Sequence, residues 1–112
     1  GRDPGIFQLK RGSQPFLSFQ EDGQWACFRW FDFPVAPRQF TICYQTHSTG
    51  SQLEVRKGSP DGPVVCSATL PDNGWKWKEI ILPVQDGSME KETLYLVATK
   101  APLAVKYFRF NE

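Results

Sequence analysis

Residues 51–84 read SQLEVRKGSPDGPVVCSATLPDNGWKWKEIILPV, and this stretch predicts the fold more directly than any other part of the chain. Leu53 and Val55 alternate with charged residues, which is the two-residue period of a half-buried strand. The Asp-Gly pair at 61–62 and the Asn-Gly pair at 73–74 mark tight turns, because these residues tolerate the left-handed backbone that such turns require. The stretch therefore predicts three short strands joined by turns.

The rest of the chain repeats this pattern of short apolar segments between turns. Nine prolines and nine glycines are spread along the 112 residues, and no window has helical periodicity. Segment 24–33, QWACFRWFDF, carries large side chains at both parities, which predicts a central strand covered on both faces. The nine short segments predict an all-β chain folded as a β-sandwich of antiparallel strands in two sheets. They span residues 6–10, 16–20, 24–33, 40–45, 53–56, 64–70, 77–84, 93–99 and 104–110.

Composition narrows the number of domains and the kinds of partner. A chain of 112 residues, 40% of them hydrophobic, is long enough for one core and too short for two, so residues 1–112 are predicted to form one domain. Thirteen basic and twelve acidic residues give a charge of +1, which argues against nucleic acid and membrane as partners. No apolar run approaches the roughly 18 residues of a membrane span. The N-terminal GRDPG lacks the features of an export signal, so any such signal is expected outside this chain.

Enzymatic activity is not predicted. The single histidine, His47, would have to be the base for any nucleophile, and it lies about 13 Å along a predicted strand from Cys43. No carboxylate stands in the apolar context that a glycosidase general acid needs. The three cysteines, Cys27, Cys43 and Cys66, allow at most one disulfide, and a reduced set of buried thiols is the favoured interpretation.

Metal binding has weak support in the sequence. Three cysteines and one histidine match a zinc count, but no C-x-x-C pair brings two ligands together. A calcium site made of carboxylates and backbone carbonyls need not leave a motif. Four loop acids therefore stay open as ligands: Asp61, Asp72, Asp86 and Glu90.

Aromatic side chains carry the clearest functional signal. A pyranose presents C–H groups on one face and hydroxyls around its rim, so a sugar binder needs a planar aromatic beside amides or charges. Trp75 follows an Asn-Gly turn and is flanked by lysine, which predicts an exposed platform, with a cap on the sandwich end as the alternative. Trp77 begins the next strand and is interpreted mainly as core. Covering roughly 50 to 100 Å² of sugar contributes about 1 to 2.5 kcal/mol per ring.

Motifs along the chain stand in the order and spacing of one known family. D-G-Q-W at 22–25 resembles N-G-D-W, L-E-V-R at 53–56 resembles I-E-L-R, and residues 70–84 resemble the series P-x-T-G-G-W, W and V-P-V of the family 6 carbohydrate-binding modules. S-P-D-G-P at 59–63 resembles the same motif in modules attached to family 43 arabinofuranosidases and xylosidases. L-Y-L-V at 94–97 and Y-F-R-F at 107–110 resemble the closing L-Y-L-V and N-W-F-R-F strands.

The resemblance implies a jelly-roll sandwich that binds polysaccharide or oligosaccharide without catalysis. It implies a linked glycoside hydrolase in the same polypeptide, a plant cell-wall or algal glycan as ligand, and a secreted, periplasmic or cell-surface location. The alternative is a structural accessory domain of a larger hydrolase that has lost sugar binding. A second alternative, a single-strand nucleic-acid binder using Trp75, Trp77 and the nearby lysines, is disfavoured by the nearly neutral charge.

Two sugar sites follow from the resemblance. At the loop end, Trp75 matches one platform, and Phe19 falls at or beside the other, where the family has tyrosine. Lys106 stands where an asparagine is expected. A donor-only lysine there would suit an acidic sugar, or else the site is degenerate. On the concave sheet face Trp25 matches a stacking tryptophan, flanked by Glu54 or Arg56, with core packing of Trp25 as the alternative.

The N-terminus departs from the family. Its opening A-E-x-Y strand, whose glutamate helps hold a structural calcium, has no counterpart in GRDPGIFQLK. This departure leaves the calcium open and predicts that residues 1–15 are atypical, either remodelled or truncated.

Overall fold

A computed structural model of the chain describes residues 7–8 and 15–111. Within these residues nine strands form two antiparallel sheets, which confirms the predicted all-β sandwich. No helix in this part of the chain has the length and apolar character of a membrane span. The strands are β1 Phe7–Gln8, β2 Leu17–Phe19, β3 Gln24–Phe31, β4 Gln39–Gln45, β5 Ser51–Lys57, β6 Val64–Leu70, β7 Lys78–Pro83, β8 Glu92–Lys100 and β9 Leu103–Asn111.

Neighbouring strands are mostly not consecutive in sequence. The first sheet has the order β1-β9-β4-β7, with β2 also paired with β9, and the second has the order β3-β8-β5-β6. The chain therefore crosses repeatedly between the sheets, as in a jelly roll. The two sheets enclose one hydrophobic core.

Phenylalanines fill one end of this core. Phe40 and Phe108, from adjacent strands of the first sheet, stack with ring centroids 5.4 Å apart, and Phe110 meets Phe40 edge-on at 5.0 Å. Phe28, from the second sheet, meets Phe108 edge-on at 5.3 Å. Such aromatic contacts add to the hydrophobic burial that holds the two sheets together.

The prediction that segment 24–33 forms a central strand is wrong. Strand β3 lies at the edge of the second sheet, with β8 as its neighbour. Its register shifts between Phe28 and Phe31, where three steps along β3 match two along β8. A bulge of this kind turns the side chains that follow it to the opposite face, so Phe31 is buried although Cys27 is exposed. Large residues thus occupy both odd and even positions because the bulge brings Phe28 and Phe31 to the same core face, while Trp25 stays exposed on the other face.

All three cysteines are free, as the favoured interpretation expected, but only two of them are buried. Burial raises the pKa of the Cys66 thiol to about 12 and also raises the pKa of Cys43. Cys27 is exposed on the edge strand, so its predicted burial is wrong.

The predicted atypical N-terminus, residues 1–15, falls almost entirely outside the described residues. Within it only the pairing of β1 with Phe108 and Tyr107 of β9 and the exposed Pro15 are described.

Candidate functional site

The loop at residues 71–77, between β6 and β7, is tied to the end of β4 by one asparagine. Asn73 accepts a hydrogen bond from the Thr46 N–H at 2.9 Å and donates from its side-chain amide to the Tyr44 carbonyl at 3.1 Å. The backbone N–H groups of Asn73 and Trp75 both donate to the Thr46 carbonyl at 3.2 Å. The Asn-Gly signal therefore marks an anchored loop that holds Trp75 in a defined position.

Trp75 stands exposed in an unfavourable backbone conformation. Its φ is 59°, next to Gly74 at 65°, and the Lys76 N–H donates to the Asn73 carbonyl at 3.3 Å across this turn. A left-handed conformation costs about 1 to 2 kcal/mol for a residue other than glycine. The side chain is 46% exposed, as a platform requires and a core cap does not. Strain at an exposed aromatic is typical of functional positions.

Trp77 is not a core residue, contrary to the sequence interpretation. It is half-buried and does not belong to the hydrophobic core. Its ring packs against Phe16, with the two ring centroids 5.4 Å apart. The Lys106 ammonium lies 5.8 Å from the centroid of the Trp77 ring, within cation–π range. The structure thus places Lys106 against the second tryptophan of the loop.

Phe19 cannot be the other platform. Strand β2 pairs with β9 so that Leu17 and Phe19 face the core and Ser18 faces outward. The Phe19 ring is only 2% exposed, which leaves no face for a sugar. The two-residue period of a strand fixes this direction, which the motif alignment does not record.

Four residues form a straight row across the outer face of the second sheet. Trp25 pairs with Val97, Val97 with Glu54, and Glu54 with Ser67. Trp25 is 48% exposed, so the alternative that it packs in the core is wrong. The ring of Tyr95, on β8, meets Trp25 edge-on at 5.1 Å and orients it. The structure therefore brings Trp25 and Glu54 to one face, as the resemblance implied.

A polar groove of about 470 Å³ continues this face beyond β8. It is lined mainly by hydroxyl, amide and carboxylate side chains, those of Gln52, Glu54, Ser67, Thr69 and Thr99. The Thr99 hydroxyl is buried and has no hydrogen-bond partner among the described residues. Motif matching did not find Ser67, Thr69 or Thr99. Ser67 and Thr69 are two residues apart on β6, so the strand's two-residue period could have placed them together on the outer face.

Glu54 and Arg56 form an ion pair on this face. An Arg56 terminal nitrogen lies 2.5 Å from a Glu54 carboxylate oxygen, and both side chains are about three-quarters buried. Both residues predicted to flank Trp25 therefore lie on this face, and they are paired with each other.

The described residues contain no group of three or more histidine, cysteine, aspartate or glutamate side chains placed to hold a metal ion. Two of the acids left open as calcium ligands have other partners. Asp72 lies 3.1 Å from His47, and Asp86 lies 2.9 Å from the Lys57 ammonium. Asp61 and Glu90 are exposed.

Acid is expected to weaken the loop that carries Trp75. The Gly74 N–H, and then the His47 imidazole, hold the pKa of Asp72 below its ordinary value. A lowered pKa gives stability that is present above the unfolded value of about 3.9 and lost as pH falls through the folded value. Wild type should exceed Asp72→Asn in urea midpoint at pH 6, with the difference shrinking below about pH 4. Asp61→Asn is the control, and a difference that stays constant with pH would contradict the expectation.

The exposed tryptophans, one on a loop and one on a sheet face of the sandwich, are flat rings of the kind that a carbohydrate-binding domain needs for stacking. The sequence pattern of the carbohydrate binding module (family 6) matches residues 8–112. The chain therefore belongs to the family 6 carbohydrate-binding modules. No curated protein matches the chain at a significant level.

Solved structures share this fold. A family 43 arabinoxylan arabinofuranohydrolase from Bacillus subtilis, in complex with cellotetraose, is 26% identical with a TM-score of 0.75 over 85% of this chain. The match covers only 20% of that enzyme. A Clostridium stercorarium family 6 module in complex with cellobiose is 17% identical with a TM-score of 0.79, covering 96% of this chain and 93% of that one. A β-1,3-glucan-binding module from Bacillus halodurans is 20% identical with the same TM-score, over 96% and 85% of the two chains.

Proposed function

We propose that this module binds cell-wall or algal polysaccharide through its exposed tryptophans and holds a linked glycoside hydrolase on that substrate. The observation that carries the proposal is Trp75, an exposed ring kept in a strained backbone conformation by an anchored loop. A residue with no function at this position would be expected to be glycine or asparagine, which fit the left-handed region better.

The loop offers Trp75 as a stacking platform, and the buried Phe19 cannot provide a second one. One ring contributes about 1 to 2.5 kcal/mol by covering a sugar face. Without a second platform, binding there is expected toward the millimolar end of the range. Lys106 adds a cation beside Trp77, which favours hydrogen bonding to sugar oxygens as a donor only.

The sheet face is the second proposed surface. Adjacent strands lie about 4.8 Å apart, so Trp25 and Glu54, two strands apart, are separated by about 10 Å along the row. A sugar chain lying across the strands could stack on Trp25 and extend over Val97 toward the polar groove beside Glu54. The carboxylate and hydroxyl groups there suit the rim hydroxyls of neutral sugars.

The ligand class is a β-linked wall glycan, supported by the cellotetraose, cellobiose and β-1,3-glucan named for the similar structures. The chain spans about a fifth of the Bacillus subtilis hydrolase, which supports a linked catalytic domain. Tethering raises the effective concentration of that domain at its substrate, and an insoluble wall glycan implies a secreted or cell-surface location. The competing function is a structural accessory domain, which the burial of Phe19 favours.

A glycan screen with face-specific variants tests binding. Wild type, Trp75→Ala and Trp25→Ala are compared in affinity gels and calorimetry with cellotetraose, xylotetraose and β-1,3-glucan. Ile81→Ala, which removes an exposed side chain from the edge of the first sheet, is the matched control. Loss in one tryptophan variant assigns the surface. Wild type that is retained on none of these glycans would leave the accessory role as the better explanation.

The targeting role is tested in the natural full-length polypeptide. The tryptophan variant that loses binding should lower hydrolysis of insoluble glycan and leave hydrolysis of a soluble oligosaccharide unchanged. An equal loss on both substrates would contradict targeting.

A further inference from the structure

The Arg56 guanidinium is held at both ends. One terminal nitrogen donates to the Gly62 carbonyl at 2.7 Å, and the other donates to a Glu54 carboxylate oxygen at 2.5 Å. The group is planar and rigid, so fixing one nitrogen fixes the direction of the other. The position of the Gly62 carbonyl is thereby transmitted to the Glu54 carboxylate.

The turn that supplies this carbonyl has little freedom. The Gly62 N–H donates to the Ser59 carbonyl at 3.0 Å, and the Lys57 N–H donates to the Pro63 carbonyl at 3.1 Å. A Cβ atom on Gly62 would lie 2.0 Å from the Lys57 carbonyl oxygen, which no side chain can do without moving the backbone. Only glycine therefore allows the turn to pack this closely on the end of β5.

Glu54 lies where an oriented acceptor is useful. It stands in the row between Trp25 and Ser67 and lines the polar groove. One carboxylate oxygen is engaged by Arg56, while the other has no hydrogen bond to a described residue. A carboxylate accepts hydrogen bonds and cannot donate them, so its free oxygen suits sugar hydroxyls. An unrestrained glutamate would lose rotamer entropy on binding, and the ion pair removes much of that loss beforehand.

We propose that Arg56 is a positioning residue of the sheet-face site: anchored by the Gly62 carbonyl, it orients Glu54 to accept hydrogen bonds from sugar hydroxyls. The guanidinium acts through Glu54 and does not itself contact the sugar. This inference rests on the proposed function of the sheet face.

A double-mutant cycle on binding tests the proposal. Affinities for cellotetraose, xylotetraose and β-1,3-glucan are measured by calorimetry for wild type, Glu54→Gln, Arg56→Gln, Arg56→Lys and the Glu54→Gln/Arg56→Gln double variant. Each single substitution is expected to weaken binding about tenfold, the size of one lost charge-assisted hydrogen bond. Arg56→Lys should not restore wild-type affinity, because one ammonium cannot reproduce the two directed hydrogen bonds that the guanidinium donates to Gly62 and Glu54. The double variant should bind no more weakly than Glu54→Gln.

The outcomes separate this proposal from the function on which it rests. If Arg56→Gln still weakens binding in the Glu54→Gln background, Arg56 contacts the sugar directly and the proposal is wrong. If Arg56→Gln and Arg56→Lys lower the free energy of unfolding but leave affinity unchanged, the ion pair is only structural and the proposal is also wrong. If Trp25→Ala binds as wild type does, the sheet-face site itself is wrong and this inference is overturned with it.

A second pair of variants tests the turn without touching the groove. Gly62→Ala should weaken binding by a factor similar to that of Arg56→Gln, because the added methyl group displaces the carbonyl that anchors the guanidinium. Asp61→Ala, in the same turn and with an exposed side chain, should bind as wild type does. A folded Gly62→Ala with wild-type affinity would contradict the role of the turn. If Gly62→Ala does not fold, the Arg56 cycle alone decides.

Discussion

Replacing Trp75 with glycine is expected to weaken glycan binding at the loop about 5- to 70-fold, the equivalent of 1 to 2.5 kcal/mol, by removing the stacking ring. The same variant should be more stable than Trp75→Ala by about 0.5 to 1 kcal/mol. Both substitutions remove the same ring, but only glycine adopts a φ of 59° without strain. Glycine has more conformational entropy than alanine in the unfolded chain, and losing it on folding offsets part of the stability gained from the relieved strain. Urea unfolding measures stability, and calorimetry measures affinity.

Trp25 provides the matched control for this prediction. It has nearly the same exposure as Trp75, 48% against 46%, but it lies within strand β3 and does not have a positive φ. At this position the order should reverse, with Trp25→Gly less stable than Trp25→Ala by about 0.5 to 1 kcal/mol. If the alanine variant were the more stable one at both positions, the Trp75 backbone would carry no strain.

Replacing Phe108 with alanine is expected to lower the free energy of unfolding by about 3 to 5 kcal/mol. The side chain is fully buried and contacts Phe28 and Phe31 of the second sheet and Phe40 of the first. Alanine leaves a cavity between the sheets, which the rigid strands on both sides cannot close. A domain of this size commonly has 5 to 15 kcal/mol of stability, so the variant should be marginally folded.

Two further substitutions support the interpretation of Phe108→Ala. Phe108→Leu keeps most of the apolar volume and should lower stability much less than alanine. Ile81→Ala, at a side chain that is 60% exposed, should change stability by about 0.5 kcal/mol or less. A loss in Phe108→Ala no larger than in Ile81→Ala would mean that the two sheets are not joined through this residue. Guanidinium unfolding monitored by tryptophan fluorescence gives all three values.

The strand pattern could be predicted from the sequence because it depends on local spacing. Segment 64–70 has the bounds of β6, and the other strands predicted from residue 16 onward agree with the structure to within a few residues. The prediction for β3 was wrong for two reasons: one bulged residue reverses the side-chain direction after Phe28, and Trp25, before the bulge, is exposed instead of covered.

The candidate sites could be predicted only in part. The Asn-Gly turn indicated that Trp75 would be exposed, since turn residues fix the local backbone and loops run over the surface. Matching motifs placed Phe19 at the same site, although its strand directs it into the core. The ammonium of Lys106 lies over the Trp77 ring, a cross-strand contact that the motif match does not record.

The sequence by itself determined that this chain is an all-β carbohydrate-binding module of family 6 with an exposed loop tryptophan, because turns, alternation and motif order are properties of neighbouring residues. The tertiary structure alone decided which side chains meet across strands. It buried Phe19, aligned Trp25 with Glu54 and Ser67 on one face, and placed Lys106 over the Trp77 ring. These contacts depend on strand register and sheet order, which long-range pairing fixes and local sequence does not encode.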